Sequence, residues 1–399
     1  MGELYEYVPT RLASAASSED WTVGGYGACV NVDGTLTLNG IVLDARRPQK
    51  VPGFANWLQW CPAASIQDAG PTSQTITKDL HVREHFEREL VVLCGSSGLF
   101  EAHSAPQTYN LRQNTWRGYT PLTMDRDDAA VLCTGPQIYV IGGLSGLHNR
   151  CVITASVETC ENGCWAELAP MQTPRTSCAA AFANGPNGDL FVFGGDSGRC
   201  TLDSVEVFRD KKWTKRKAMP TARRGLHAAA LGRKVYLCGG CRAGEESGCA
   251  SVDIYDMDQD TWTRGPPMQR VRTHFGLAVL GGRIFVAGGK NGLQRYASVE
   301  CYDERQGTWS FCSPMPTARS HLSLTVVGAH IYAIGGFDGS NVTATIEKYD
   351  PETDLWSAAG ELPSPRWGHG SVVISRAWAT NSVQTQSDKA FAGRSDKSE

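Results

Sequence analysis

Apolar runs of four residues recur along this chain, each closed by a glycine pair: IYVIGG, LFVFGG, VYLCGG, IFVAGG and IYAIGG, at residues 138–143, 190–195, 235–240, 284–289 and 331–336. Runs this short, rich in β-branched and aromatic residues and bounded by glycine, predict strands rather than helices. A tryptophan keeps the same beat at Trp116, Trp165, Trp213, Trp262, Trp309 and Trp356, with separations of 49, 48, 49, 47 and 47 residues. Each unit divides into four strand-like segments, as in PTARSHLSLTVV, HIYAIGG, TIEKYD and LWSAA of the last one. Four short antiparallel strands cannot bury both faces of their sheet alone. Several such sheets packed around an axis can, so the pattern predicts an all-β propeller.

The glycine pair, the Tyr-Asp turn before the tryptophan and the period together resemble the Kelch repeat family over roughly residues 90–374. An arginine recurs at the start of each first strand, at Arg126, Arg175, Arg223, Arg272, Arg319 and Arg366. An acid recurs on the third strand, at Glu158, Glu206, Asp253, Glu300 and Glu347. One of each per blade suggests a repeated buried pair that sets strand register. The tryptophans are expected to pack on the neighbouring blade.

Six tryptophans predict six blades, and the first is irregular. Its second strand reads LVVLCGSSG, and the charged HVREHFERE upstream leaves no room for a normal first strand. Residues 366–374, RWGHGSVVI, read as a first strand with no second strand after it. The two defects cancel if the C-terminal segment inserts beside residues 90–95 and closes the ring, leaving no exposed sheet edge. A seventh blade is the alternative, because GYGACVNVDGTLTLNG at residues 25–40, followed by Trp57 and Trp60, mimics a degraded repeat. The expected organisation is a region of unclear fold over residues 1–86, the propeller over 87–375, and a disordered tail over 376–399. Residues 1–86 carry no nameable recruiting domain.

Composition narrows the function. A net charge of -3 gives no general attraction to nucleic acid or to anionic membrane, so neither is expected as a partner. The absence of a signal-like or membrane-length apolar run points to the cytoplasm, with the nucleus as a further location. Fourteen cysteines suggest a disulfide framework, but Cys94, Cys133, Cys178, Cys238 and Cys301 sit in strand-like runs and are expected to be free thiols. Cys238 with Cys241, and Cys160 with Cys164, have ligand-like spacing, yet no second pair completes a zinc set. The basic cluster around Trp213, from Lys211 to Lys217, reads as a solvated outer edge more readily than as a nuclear signal.

Function in a propeller lives on the loops that the ring presents. The family resemblance implies that residues just after the repeated arginine line the mouth of the central channel. On this chain they are Asp127 and Asp128, Thr176 and Ser177, Arg224 and Gly225, Thr273 and His274, Ser320 and His321, and Trp367 and Gly368. Mixed donors and acceptors with an aromatic anchor suit a peptide or protein loop. The expected function is therefore protein binding, as a substrate receptor or scaffold. Ubiquitin-ligase components and cytoskeletal proteins are the partner classes that the resemblance implies. No cofactor, metal or catalytic residue is expected. The alternative is a metal-dependent enzyme built on His274, His321 and Asp127 as two histidines and a carboxylate.

Overall fold

The computed structural model describes residues 86–98, 101–102, 105–111, 113–146, 151–183 and 188–377, with shorter strand segments upstream at 19–23, 26–30, 36–38, 41–43, 59–61 and 81–83. Every regular element among the described residues is a β-strand. The chain divides into two compact units, one containing Glu87–Arg376 and the other Val8–Phe86. The second unit holds a four-stranded antiparallel sheet of Glu19–Val23, Tyr26–Val30, Leu36–Leu38 and Ile41–Leu43. The expected degraded repeat thus forms a sheet of its own unit and adds no blade to the ring. The tail expected to be disordered lies outside the described residues from residue 378 onward.

The first unit contains six four-stranded antiparallel sheets. Blades 2 to 6 begin with Ala130–Thr134, Ala179–Phe182, His227–Leu231, Gly276–Leu280 and Ser323–Val327, and each runs to its outer strand without a crossover. Blade 1 takes its innermost strand from the far end of the chain: Gly370–Ala377 lies beside Phe86–Leu93, followed outward by Gln107–Asn110 and Thr115–Gly118. Ser96 and Trp367 exchange backbone hydrogen bonds of 3.0 and 3.1 Å at the same junction. The core lies between blades. Phe191, Phe193, Val205 and Val207 of blade 3, for example, pack on Leu226, Val235, Leu237 and Tyr255 of blade 4. Leu90 and Val92 of blade 1 join Ile334, Ile346 and Leu362 at the end of blade 6.

The outer tryptophans add a polar staple to this packing. The indole N–H groups of Trp165, Trp213, Trp262, Trp309 and Trp356 donate to carbonyls of Thr120, Ala169, Lys217, Pro266 and Ser313 in the preceding blade or its exit loop, at 2.7–3.1 Å. Apolar area and one directed hydrogen bond therefore act at the same contact.

The recurring arginines are the deepest charged groups, all between 0 and 1% exposed. In blade 5, Arg272 donates to the carbonyls of Gly288 and Ser298 at 2.7 and 3.0 Å, to the Ser298 hydroxyl at 3.1 Å, and to Glu300 at 2.6 Å. Glu300 in turn accepts from the backbone N–H groups of Gln269 and Arg270 in the entry loop, at 2.6 and 3.2 Å. One pair thus joins the entry loop, the end of the second strand and the start of the third. Equivalent pairs are Arg126–Glu158, Arg175–Glu206, Arg223–Asp253 and Arg319–Glu347. Gly288 and Gly289 fill the remaining space: with φ of 69° and 89°, a Cβ on them would come within 2.5 Å of the Arg319 carbonyl and 2.7 Å of Phe275 Cβ. Only glycine fits there.

Two outcomes follow. A chain ending at Pro363 should lose its cooperative melt, because two strand edges and one blade interface become exposed. A chain ending at Arg376 should keep its melting temperature, and equal stability of the two would refute the closure. Glu300→Ala should cost about 3–5 kcal/mol in denaturant unfolding, the range for stranding one member of a buried ion pair.

Candidate functional site

The residues after the six arginines converge on the axis through backbone bonds. Asp128, Ser177, Gly225, His274, His321 and Gly368 all adopt left-handed backbone, with φ between 49° and 63°. Each N–H donates to the carbonyl of its counterpart in the preceding blade: Asp128 to Gly368, Ser177 to Asp128, Gly225 to Ser177, His274 to Gly225, His321 to His274 and Gly368 to His321, at 2.8–3.0 Å. The six bonds form a closed ring around the channel. Four of its members are not glycine and bear the strain of that conformation, which the closed ring imposes.

The residue before each ring member pairs with the residue that follows the glycine pair in its own blade, or Cys94-Gly95 in blade 1: Asp127 with Leu144, Thr176 with Asp196, Arg224 with Cys241, Thr273 with Lys290, Ser320 with Phe337 and Trp367 with Ser96. Their constant offset from the end of the second strand marks these second partners in the sequence. They turn the mouth from one tier of side chains into two.

Exposure separates the expected site residues. Asp127, Asp128, Thr176, Ser177, Arg224, His274, His321 and Trp367 are partly exposed. Thr273 and Ser320 are fully buried, so they reach a partner only through the histidines they hold. The Thr273 hydroxyl lies 3.0 Å from His274 Nδ1, and the Ser320 hydroxyl 3.2 Å from His321 Nδ1. The two imidazoles stack with centroids 4.2 Å apart, and His321 meets Trp367 edge-on at 4.8 Å. Trp367 continues to Phe337 at 5.9 Å, over which the Arg295 guanidinium sits at 5.0 Å. Five side chains from blades 5, 6 and 1 therefore form one continuous stack. Beside it, Leu293 stands 85% exposed at the tip of the hairpin between Lys290–Asn291 and Gln294–Arg295.

The electrostatics of the mouth follow from its narrowness. Burial pushes Asp128 up to about 6, against the opposing pull of Ser177, Lys290 and Arg224. Burial pushes Asp127 up to about 7, helped by Asp128 and Asp125. It holds His274 down at about 3, with Lys290, His227 and Arg224 adding to the effect, and puts His321 well below its ordinary value. At neutral pH both imidazoles are uncharged.

One group of three metal-type side chains stands out among the described residues, and it corrects the grouping expected from sequence. Asp128, not Asp127, joins His274 and His321, with one donor atom of each within 4.8 Å of the others. Blade 2 faces blade 5 across the axis, and the hydrogen-bonded ring is tight enough for opposite side chains to meet. Neither Cys238 with Cys241 nor Cys160 with Cys164 gathers such a group, and the twelve cysteines from Cys94 to Cys312 are free thiols.

The family model for the KLHDC2/KLHL20/DRC7 Kelch-repeats domain matches residues 127–315 and 225–381. Kelch-like protein 15 of Mus musculus is 27% identical over 217 residues, covering 49% of this chain and 35% of that protein. Kelch repeat and BTB domain-containing protein 12 of Danio rerio is 28% identical over 208 residues, covering 46% and 33%. Kelch-like protein 35 of Mus musculus is 31% identical over 183 residues, covering 45% and 29%. The matches span about a third of the length of these curated relatives.

The raised Asp128 gives a pH test. An acid whose folded value lies above its unfolded one, about 3.9, opposes folding as pH rises through that window. In chelator-treated protein, Asp128→Asn should therefore change stability little at pH 4 and gain about 1–2 kcal/mol above pH 6.5, after allowance for solvent screening. Denaturant unfolding at the two pH values checks this, and a gain independent of pH would contradict it.

Proposed function

This chain belongs to the Kelch-repeat family, and on that premise we propose that it is a protein-interaction module holding a partner protein at the mouth of its propeller. The stack of Arg295, Phe337, Trp367, His321 and His274 carries the reading. Arginine and tryptophan are the side chains that dominate binding energy at interfaces, and a rigid ring presents them with little ordering cost. Leu293 supplies an apolar contact at the rim, and Arg224, with its side chain 42% exposed, a charged one near Asp196 at 3.8 Å. Buried polar atoms without partners, Asp127 Oδ1, Thr176 Oγ1 and Trp367 Nε1, leave hydrogen-bonding capacity at the same face.

Within this reading the chain acts as a substrate receptor or as a scaffold. A ubiquitin-ligase component among its partners would fit the first role, and a cytoskeletal protein the second. The aromatic stack favours a polypeptide over the small substrate of the enzyme reading.

Co-purification and proximity labelling from cells test the proposal. Trp367→Ala, Arg224→Ala and Leu293→Ala should each weaken binding of the recovered partner by about 1–4 kcal/mol for the strongest contacts, with the melting temperature nearly unchanged. Recovery of a ligase scaffold supports the receptor role, and actin or tubulin the scaffold role. Partner binding unaffected by all three variants would refute the mouth as the docking face.

A further inference from the structure

We propose that Asp128, His274 and His321 form a divalent transition-metal site across the axis of the propeller. The three side chains come from blades 2, 5 and 6, and one donor atom of each lies within 4.8 Å of the other two. Zinc holds nitrogen and oxygen donors at about 2.0–2.1 Å, so tetrahedral donors stand about 3.4 Å apart. Side-chain torsions that shift each donor by about an ångström or less close that gap without moving the backbone.

The surroundings suit ligation. Each ligand residue sits in the closed hydrogen-bonded ring, so its Cα position is fixed before any ion arrives. The Thr273 hydroxyl spends its one proton on the Gly225 carbonyl, at 3.2 Å, so its 3.0 Å contact with His274 must be donated by Nδ1–H. That fixes the tautomer and leaves the Nε2 lone pair of His274 available. The Ser320 hydroxyl lies 3.2 Å from His321 Nδ1 and orients that ring. The Ser177 hydroxyl supports Asp128 at 3.4 Å. Each ligand thus has its own outer hydrogen bond, as metal ligands require.

Two neutral imidazoles and one carboxylate favour zinc or another imidazole-binding ion over calcium or magnesium. Lys290 and Arg224 lie near enough to influence these groups, and they oppose the cation. Asp127, next in chain to Asp128, offsets part of that charge. The positive neighbours weaken the site, and three protein ligands leave its fourth position open.

Equilibrium dialysis of the chelator-treated full chain against zinc, and a cobalt titration followed by visible absorption, read the site directly. One equivalent of either ion should bind, with a cobalt spectrum of nitrogen and oxygen ligands and no thiolate charge-transfer band. Asp128→Asn and the double variant His274→Asn, His321→Asn should each weaken binding at least tenfold. Asparagine is chosen because it tolerates the left-handed backbone. Should a variant fail to fold, the imidazole nitrogen shifts of the intact chain on zinc addition give the same answer. No uptake, unshifted imidazole nitrogens, a thiolate spectrum, or full binding retained by the folded double variant would overturn the proposal.

Discussion

The buried arginine–carboxylate pair is the interaction on which the remaining structure depends. A guanidinium deep in a β-sheet core is costly unless its donors are met, and in blades 2 to 6 its terminal nitrogens reach the carbonyl at the end of the second strand and the carboxylate on the third, while Nε of Arg175, Arg223, Arg272 and Arg319 has no partner among the described residues. Burial lowers Arg272 and Arg319 below the usual guanidinium range, and Glu300 and Glu347 oppose that shift. The pair is therefore a geometric device more than a source of net stability. It admits only one register of the four strands, because a slip of one residue would withdraw the carboxylate and strand the charge.

Register at the arginine controls the axis. The arginine carbonyl accepts from the second glycine of the preceding blade in five blades, and from Gly95 at the closure, at 2.7–3.2 Å. Two residues further on, the left-handed ring closes with its own six bonds. Each blade junction near the channel thus carries two backbone hydrogen bonds set by one buried side chain. The mouth is stiff for this reason, and its side chains project from a frame whose position no partner has to order.

Blade 1 shows what happens when the pattern is incomplete. Its third strand has Gln107, paired with Val92, where the others have an acid, and Arg366 bonds to the carbonyls of Cys94 and Ala105 at 3.2 and 3.0 Å. No carboxylate among the described residues pairs with it. Cys94 takes the place of the first glycine with φ of 64°, and the Gly95 bond to Arg126 is the longest of its set. The blade assembled from both ends of the propeller also has the weakest version of the local lock. The pairing of Gly370–Ala377 with Phe86–Leu93 and the apolar contacts of Leu90 and Val92 with blade 6 offset this deficit.

The sequence by itself determined the strands, the six-fold count, the closure and the arginine–acid pairing. Each of these is set inside one repeat or by its absence, and the 47–49 residue spacing displays it six times over. The ring positions Asp128, His274 and His321 were legible as lining the mouth through their constant offset from the arginines, but their meeting was not. The carboxylate expected beside His274 and His321 was Asp127, whereas closing the ring brings Asp128 to them across the axis. Burial of Thr273 and Ser320, and the stack reaching Phe337 and Arg295, were likewise invisible. Those facts depend on the width of the channel and on contacts between blades. Both are consequences of closing the ring, and no single repeat contains them.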